Sequence, residues 1–235
     1  RATAKILYGI YIIMTVVEII LLLLAGMPLF DAVTTSFGTA GTGGFGIKND
    51  SIGGYSVLIQ VIVTVFMILF GVNFNAYYLI LAKKWKQAFK IEEVRWYFII
   101  IFVSIIFIGV DIRHLYDNFG QAIQQSAFQV ASIITTTGFA TTDFNVWPEI
   151  SRTLLVMLMF IGACAGSTGG GMKVSRFVIL FKAMKKEIHQ YLHPRQVRKI
   201  QMDGKCVEHE VVRNVNVYVV AYCMIFAGSL VFLAF

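Results

Sequence analysis

The sequence predicts an all-α integral membrane protein built from repeated helix–loop–helix units, with one spanning helix broken. Three observations lead there. Hydrophobic residues make up 57% of the chain and charged residues only 14%, against about 25% charged in a soluble domain. Several apolar runs reach the roughly 20 residues that a spanning helix needs. A threonine- and glycine-rich loop, 135–141, follows an apolar stretch too short to cross a bilayer, and a looser copy, 41–46, stands 94 positions upstream (138 − 44).

The charge pattern gives the orientation. The chain carries a net charge of +7, but its positive residues cluster in 83–95 and 173–213, beside hydrophobic segments. That is the positive-inside pattern, which puts both loops in the cytoplasm and speaks for a cell (inner) membrane rather than nucleic acid. Cys164, Cys206 and Cys223 show no paired spacing, so no disulfide framework is expected. His189, His193, Cys206 and His209 offer a lone Cys-x-x-His without a second pair, which reads as a solvated basic loop rather than zinc. The chain begins at Arg1 and stops at Phe235 within an apolar run, so a longer parent chain is expected.

Taken in order, 6–25 is a first spanning helix whose one charge, Glu18, must face protein or water and accept hydrogen bonds. Gly26 and Pro28 break it, Pro28 suiting the first turn of the next helix. Segment 29–39 is half-polar and too short to span, as a re-entrant segment would be. The loop that follows, Gly41-x-Gly43-x-x-Gly46, matches a dinucleotide fingerprint in spacing only. It lacks the strand before it and the helix opening within it. A second spanning helix, 57–81, carries Asn73 and Asn75, amides suited to bonding across helices. Residues 83–86 close it with charge and an interfacial tryptophan.

Arg95 stands 94 positions after Arg1 and opens a second unit. Its spanning helix, 96–110, leads through a polar outer link, 111–114, to a second half-length segment, 121–134. That segment delivers the chain into the loop at 135–141. The helix leaving this loop, 146–161, is interrupted by 162–171, where five glycines fall in ten positions; each costs about 1 kcal/mol against alanine in a helix. Irregular backbone at membrane depth is tolerated only when buried in protein or lining water, which places the break in a conduction path. Gly166 and Gly171 have phosphate-loop spacing, but Met172 stands where the lysine belongs, so that reading fails. Helix resumes at 174–192, Pro194 ends it, and a polar loop runs over 195–210. A further apolar segment, 215–235, begins a third unit. The units are therefore 1–94, 95–210 and a truncated 211–235, an internal repeat to be read before any single motif.

Both loops suit ion coordination. A cation gives up its water only where carbonyl oxygens replace it, and glycine lets the backbone turn them inward because φ > 0 meets no Cβ. Gly44 and Gly138 fill that need at matching places, Thr42 and Thr136 add hydroxyls, and Phe45 and Phe139 are suited to wedge each loop against its packing. No Asp or Glu lies inside either loop, which favours a dehydrated monovalent ion over a divalent one.

These motifs resemble the Trk/Ktr/HKT superfamily of potassium transporters, TrkH type. The resemblance rests on Phe128-Gln129-Val130 leading to Thr135-Thr136-Thr137-Gly138-Phe139, then Thr142-Asp143-Phe144 and Trp147-Pro148. The long run from Gly162 through Gly169-Gly170-Gly171-Met172-Lys173-Val174 and the pair His193-Pro194 extend it. It implies four helix–pore loop–helix units around one pore, a potassium-channel-like pseudo-tetramer, of which this chain carries the second, the third and the start of the fourth. It implies potassium (K+) uptake, with carbonyl ligands from Thr42, Gly43, Gly44, Thr136, Thr137 and Gly138. It further implies that 162–171 is an intramembrane gating loop, with Gly162, Gly166, Gly169, Gly170 and Gly171 its pivots. Lys173 would either hold that loop, repel cations or snorkel to the inner surface. A homodimer and a docked cytoplasmic nucleotide-binding regulatory subunit of the TrkA kind are implied as partners beside membrane lipid. No enzymatic activity, organic cofactor or nucleic-acid partner is expected. The competing expectation is an ion-coupled secondary transporter that uses the broken helix as its substrate site.

Overall fold

The computed structural model describes residues 2–193 and 199–234. Two compact units emerge, Arg1–Val174 and Ser175–Phe235.

In the first unit, α1 (Ala2–Leu24) is long and apolar enough to span. It ends because Gly26 takes φ +89° and lets the Gly26 and Met27 amides return to the Leu23 and Leu22 carbonyls, a glycine-dependent helix stop. Pro28 sits just outside α2 (Leu29–Ala40) rather than in its first turn, and its carbonyl receives the Ala32 amide. With 12 residues, α2 is about 18 Å long at 1.5 Å per residue, well short of a bilayer core.

The segment expected to span unbroken over 57–81 is instead two helices, α3 (Val57–Phe70) and α4 (Phe74–Leu81), bent by 90°. Two local causes account for the bend. Gly71 closes α3, and a Cβ there would lie 2.2 Å from the Tyr97 hydroxyl, so the backbone approaches the next spanning helix too closely for any side chain. Asn73 then caps α4, its side-chain oxygen accepting the Asn75 amide at 2.9 Å, the exchange that starts a helix at low cost.

A short α5 (Trp85–Ala88) leads to α6 (Glu92–Asp111), a second helix of spanning length and composition. The outer link is a 3-10 turn, Ile112–Leu115, with Ile112 buried beneath it. The second half-length helix, α7 (Phe119–Ile134), packs on α6, α3 and α8 (Glu149–Ile161). Ahead of α8 the chain spends 144–146 in a 3-10 turn capped by Asp143, so α8 begins later than its apolar pattern suggests.

Leu22, Met27, Ala32, Val63, Phe128 and Phe139 share one core, which joins the helices of the first repeat to the half-helix and loop of the second. In lipid, cohesion of this kind comes from close packing rather than from expelling water. Ile13, Leu24, Phe102 and Val103 stay exposed on α1 and α6, as an acyl environment requires.

The second unit holds most of α9 (Val174–Leu192) and all of α10 (His209–Ala234), the latter of spanning length. Within the expected polar loop lies a small antiparallel hairpin, β1 (Gln201–Met202) and β2 (Lys205–Cys206). Asp203-Gly204 turns it with φ of +53° and +76°, the both-positive pair favoured by two-residue hairpins. Pro194 and its proposed helix stop lie outside the described residues.

Candidate ion-coordinating site

The two loops share backbone geometry bond for bond. Gly41 and Thr135 donate their amides to Phe37 and Ala131; Thr42 and Thr136 donate to Thr39 and Ile133. Gly43 and Gly44 then converge on the Gly38 carbonyl at 2.8 and 3.5 Å, and Thr137 and Gly138 on the Ser132 carbonyl at 2.9 and 3.3 Å. Thr42 and Thr136 both hold positive φ, 49° and 59°, and Gly44 and Gly138 follow at 65° and 90°. A threonine with φ > 0 is uncommon and strained. Finding it twice at one offset shows that each half-helix is brought to the same abrupt stop.

That stop leaves acceptors unspent. Among the described residues, the carbonyls of Thr42, Gly43, Gly44, Thr136, Thr137 and Gly138 accept no hydrogen bond, whereas those just beyond, Phe139 and Ala140, receive the Ser132 hydroxyl and the Ile52 amide. The loops also touch. A Cβ on Gly44 would lie 2.0 Å from the Thr137 oxygen, so the first loop rests directly on the backbone of the second. The Ala140 amide reaches back to the Ser51 hydroxyl at 3.2 Å.

The supporting side chains are less symmetric. Phe139 is buried and fills the space over Gly38, where any Cβ would meet its ring at 2.9 Å. Phe45, expected to wedge the first loop in the same way, is 85% exposed. Phe139 is held by the half-helix of the other repeat, and the described residues offer Phe45 no equivalent half-helix. Polar groups brace the outer side. The Gln60 amide donates to the Gly53 and Tyr55 carbonyls, and its oxygen accepts Gln124 at 2.6 Å. Tyr55 donates to Asp31 at 2.6 Å; burial first, and then this carboxylate, push its pKa up to about 12.

The glycine break is an ordered structure. Gly162 and Gly171 pass back to back, both with positive φ, and a Cβ on Gly171 would lie 2.5 Å from the Gly162 Cα. The loop between them meets both candidate ion loops. The Gly170 amide donates to the Thr136 hydroxyl at 2.7 Å, and the Thr42 hydroxyl donates to the Thr168 carbonyl at 3.3 Å. Gly169 is pressed against the Thr135 carbonyl, leaving no room for a side chain. Lys173, in the left-handed region with φ 79°, turns its ammonium back onto the Gly169 carbonyl. Gly166 also has positive φ, and its carbonyl receives the Phe74 amide at 3.1 Å.

One residue central to this arrangement, Glu93, escaped the sequence reading. Glu93 is buried; its carboxylate accepts the Ala165 amide at 2.6 Å and the Asn73 side chain at 3.2 Å. It thereby joins the glycine break to the break between α3 and α4. The Cys164 amide, donating to the Gly71 carbonyl at 3.0 Å, adds a second tie. Glu93 stands in a charged stretch that reads as solvated, and only its neighbour Asn73 carried a signal. Glu18 faces protein as expected, with the Thr39 side chain as its polar neighbour; neither of its oxygens nor the Ser36 hydroxyl has a partner at full hydrogen-bond geometry among the described residues.

Half-length helices ended by paired carbonyl loops, set among broken spanning helices, define a multi-pass helical membrane protein with re-entrant segments. The chain belongs to the TrkH family of cation transport proteins, whose pattern matches residues 1–233. It is 34% identical over 232 residues to the Trk system potassium uptake protein TrkH of Escherichia coli (strain K12), covering 97% of this chain and 48% of that protein. Against TrkG of the same organism it is 36% identical over 217 residues, 91% of this chain and 44% of the relative. The crystal structure of the potassium transporter TrkH from Vibrio parahaemolyticus superposes with a TM-score of 0.91 at 35% identity, over 96% of this chain and 50% of that one. The chain thus spans about half the length of the curated relatives it matches.

Proposed function

We propose that this chain supplies two carbonyl loops of a gated pore for potassium uptake. The single observation that carries the reading is the matched pair of loops. Six carbonyls at corresponding positions are left without hydrogen bonds among the described residues, in loops that rest on one another through Gly44. Groups of this kind replace an alkali ion's hydration shell, and the relatives named for potassium uptake suggest which alkali ion. In this reading residues 1–94 and 95–210 are successive pore units and 211–235 opens another. The exposed ring of Phe45 then faces the half-helix of a preceding unit, as Phe139 faces Gly38. The glycine break is the gate, held against both loops by the bonds to Thr42 and Thr136. A homodimer and a cytoplasmic nucleotide-binding regulatory subunit complete the assembly by family resemblance.

The test is flux in liposomes carrying the full-length protein. Rubidium or potassium uptake down its own gradient, indifferent to imposed proton or sodium gradients, is the expected result. Transport that proceeds only with a fixed proton or sodium stoichiometry would favour a coupled secondary transporter instead.

A further inference from the structure

We propose that the second unit carries a binding site for an anionic phospholipid, independent of the ion loops. Its phosphate would sit among Lys182, Lys185, Lys186 and Lys199, with an acyl chain against the apolar stripe of α9.

Two separate features of the unit converge on this ligand. The first is a cavity of about 420 Å3 between the C-terminal half of α9 and residues 199–201. Four lysines and His189 line it, and among the described residues no carboxylate does. Lys182 donates to the Gln201 carbonyl at 2.6 Å, fixing that wall, and Lys185 and Lys199 bring ammonium groups with three donors each to the lining for phosphate oxygens. Charge-assisted bonds of this kind are the strong ones. The nearest acid on α9, Glu187, lies outside the cavity lining and faces Lys186 from the exposed side at 3.9 Å.

The second feature is the helix surface beside the cavity. Phe181, Met184, Ile188 and Leu192 recur at spacings of three and four and are half or more exposed, at 65%, 50%, 54% and 70%. Residues so spaced form one stripe along a helix. At 100° per residue Lys185 flanks that stripe and Lys182 follows further round the same side, while Lys186 lies near the opposite face. A basic band beside an apolar stripe is the pattern of a helix seated at a membrane interface. Ile188 and Leu192 belong both to the stripe and to the cavity wall. A free phosphate has no use for them, but a phospholipid uses both.

The depth also fits. His209, Val212 and Arg213, at the polar start of the spanning helix α10, line an adjoining hollow together with Lys186, Lys199, Glu187 and Glu208, so the acids of this region gather in that hollow and not in the lysine-lined cavity. The lysines therefore stand where a spanning helix leaves hydrocarbon, the level of lipid headgroups.

The experiment is native mass spectrometry of the full-length protein in detergent. It would be titrated with phosphatidylglycerol or with phosphatidylcholine of the same acyl chains. Phosphatidylglycerol is expected to be retained with at least tenfold preference. The triple variant Lys185→Gln, Lys186→Gln, Lys199→Gln is expected to weaken that retention about tenfold or more at an unchanged melting temperature. Equal retention of the two lipids by the unmodified protein, a comparison that needs no variant, would overturn the proposal. So would full displacement of phosphatidylglycerol by millimolar inorganic phosphate, which would mark a free-anion site. A third overturning outcome is Phe181→Ser abolishing self-association while lipid retention stays intact, since the stripe would then be a face between copies.

Discussion

Replacing Gly44 with alanine tests the contact between the two loops most directly. A Cβ at that position would stand 2.0 Å from the Thr137 oxygen, whereas ordinary contact begins near 3.4 Å, so one backbone must retreat by about 1.4 Å (3.4 − 2.0). The obstacle is a main chain and not the end of a flexible side chain, so no rotamer change relieves it. The φ of +65° adds left-handed strain, about 1–2 kcal/mol for a residue with a Cβ. The displaced groups are two of the six proposed ligands, and misplacing a positioned group by 1 Å can cost on the order of 10²-fold in rate. Rubidium flux through Gly44→Ala is therefore expected to fall by on the order of 10²-fold, with expression and detergent elution profile preserved. Gly138→Ala is the internal comparison. Its φ is +90°, yet a Cβ there meets nothing within 4 Å, so strain acts without a clash and the loss should be smaller. Wild-type flux in Gly44→Ala, or a steeper loss at 138 than at 44, would refute the argument that inter-loop contact sets the site.

Three further outcomes are expected in the full-length protein. Thr136→Val keeps the shape of the side chain but leaves the Gly170 amide without its acceptor, a loss of about 1–3 kcal/mol; if the seated break is the closed gate, open probability should rise about fivefold or more, and single-channel recording that finds it unchanged or lower would contradict that assignment. Glu93→Gln turns a double acceptor into a group that must present an N–H to the Ala165 amide or to the Asn73 side chain. Thermal unfolding should show a loss of about 1–3 kcal/mol, and a variant as stable as the parent would show that the tie carries no weight. Glu18→Leu removes a buried carboxyl whose one polar neighbour in the structure, Thr39, is not at full hydrogen-bond geometry. Since a well-packed apolar replacement for such a group is often neutral or stabilising, the melting temperature should hold or rise; a fall of several degrees would reveal a partner for Glu18 in the complete assembly.

The half-helices were legible because their ends are written in residue types. A short apolar run followed by threonine and glycine announces both where the helix stops and why it can. The offset of 94 positions then extends to individual hydrogen bonds. The bend between α3 and α4 was not legible, because 57–81 is apolar throughout and a single glycine in a helix is ordinary. At that end the Ile68 carbonyl, which a continuing helix would offer to the Val72 amide, accepts the Tyr97 hydroxyl at 3.0 Å, from a residue 26 positions beyond Gly71 (97 − 71). Phe45 shows the converse limit. Its chemistry matches that of Phe139, but a wedge depends on what it is driven into. Glu93 was hidden by its company, since a carboxylate among lysines reads as solvated until its two partners are located.

The tie between the two breaks has a mechanical consequence. Cys164 to Gly71, Phe74 to Gly166 and Thr168 to Phe70 stitch one irregular segment to the other, with Glu93 riveted across the seam. A segment fastened in this way does not swing by itself. When the glycine-rich stretch shifts, α4 has to travel with it or the seam has to unzip; if that stretch is the proposed gate, α4 and the basic stretch behind it form the handle by which a force applied there would reach the proposed ion loops.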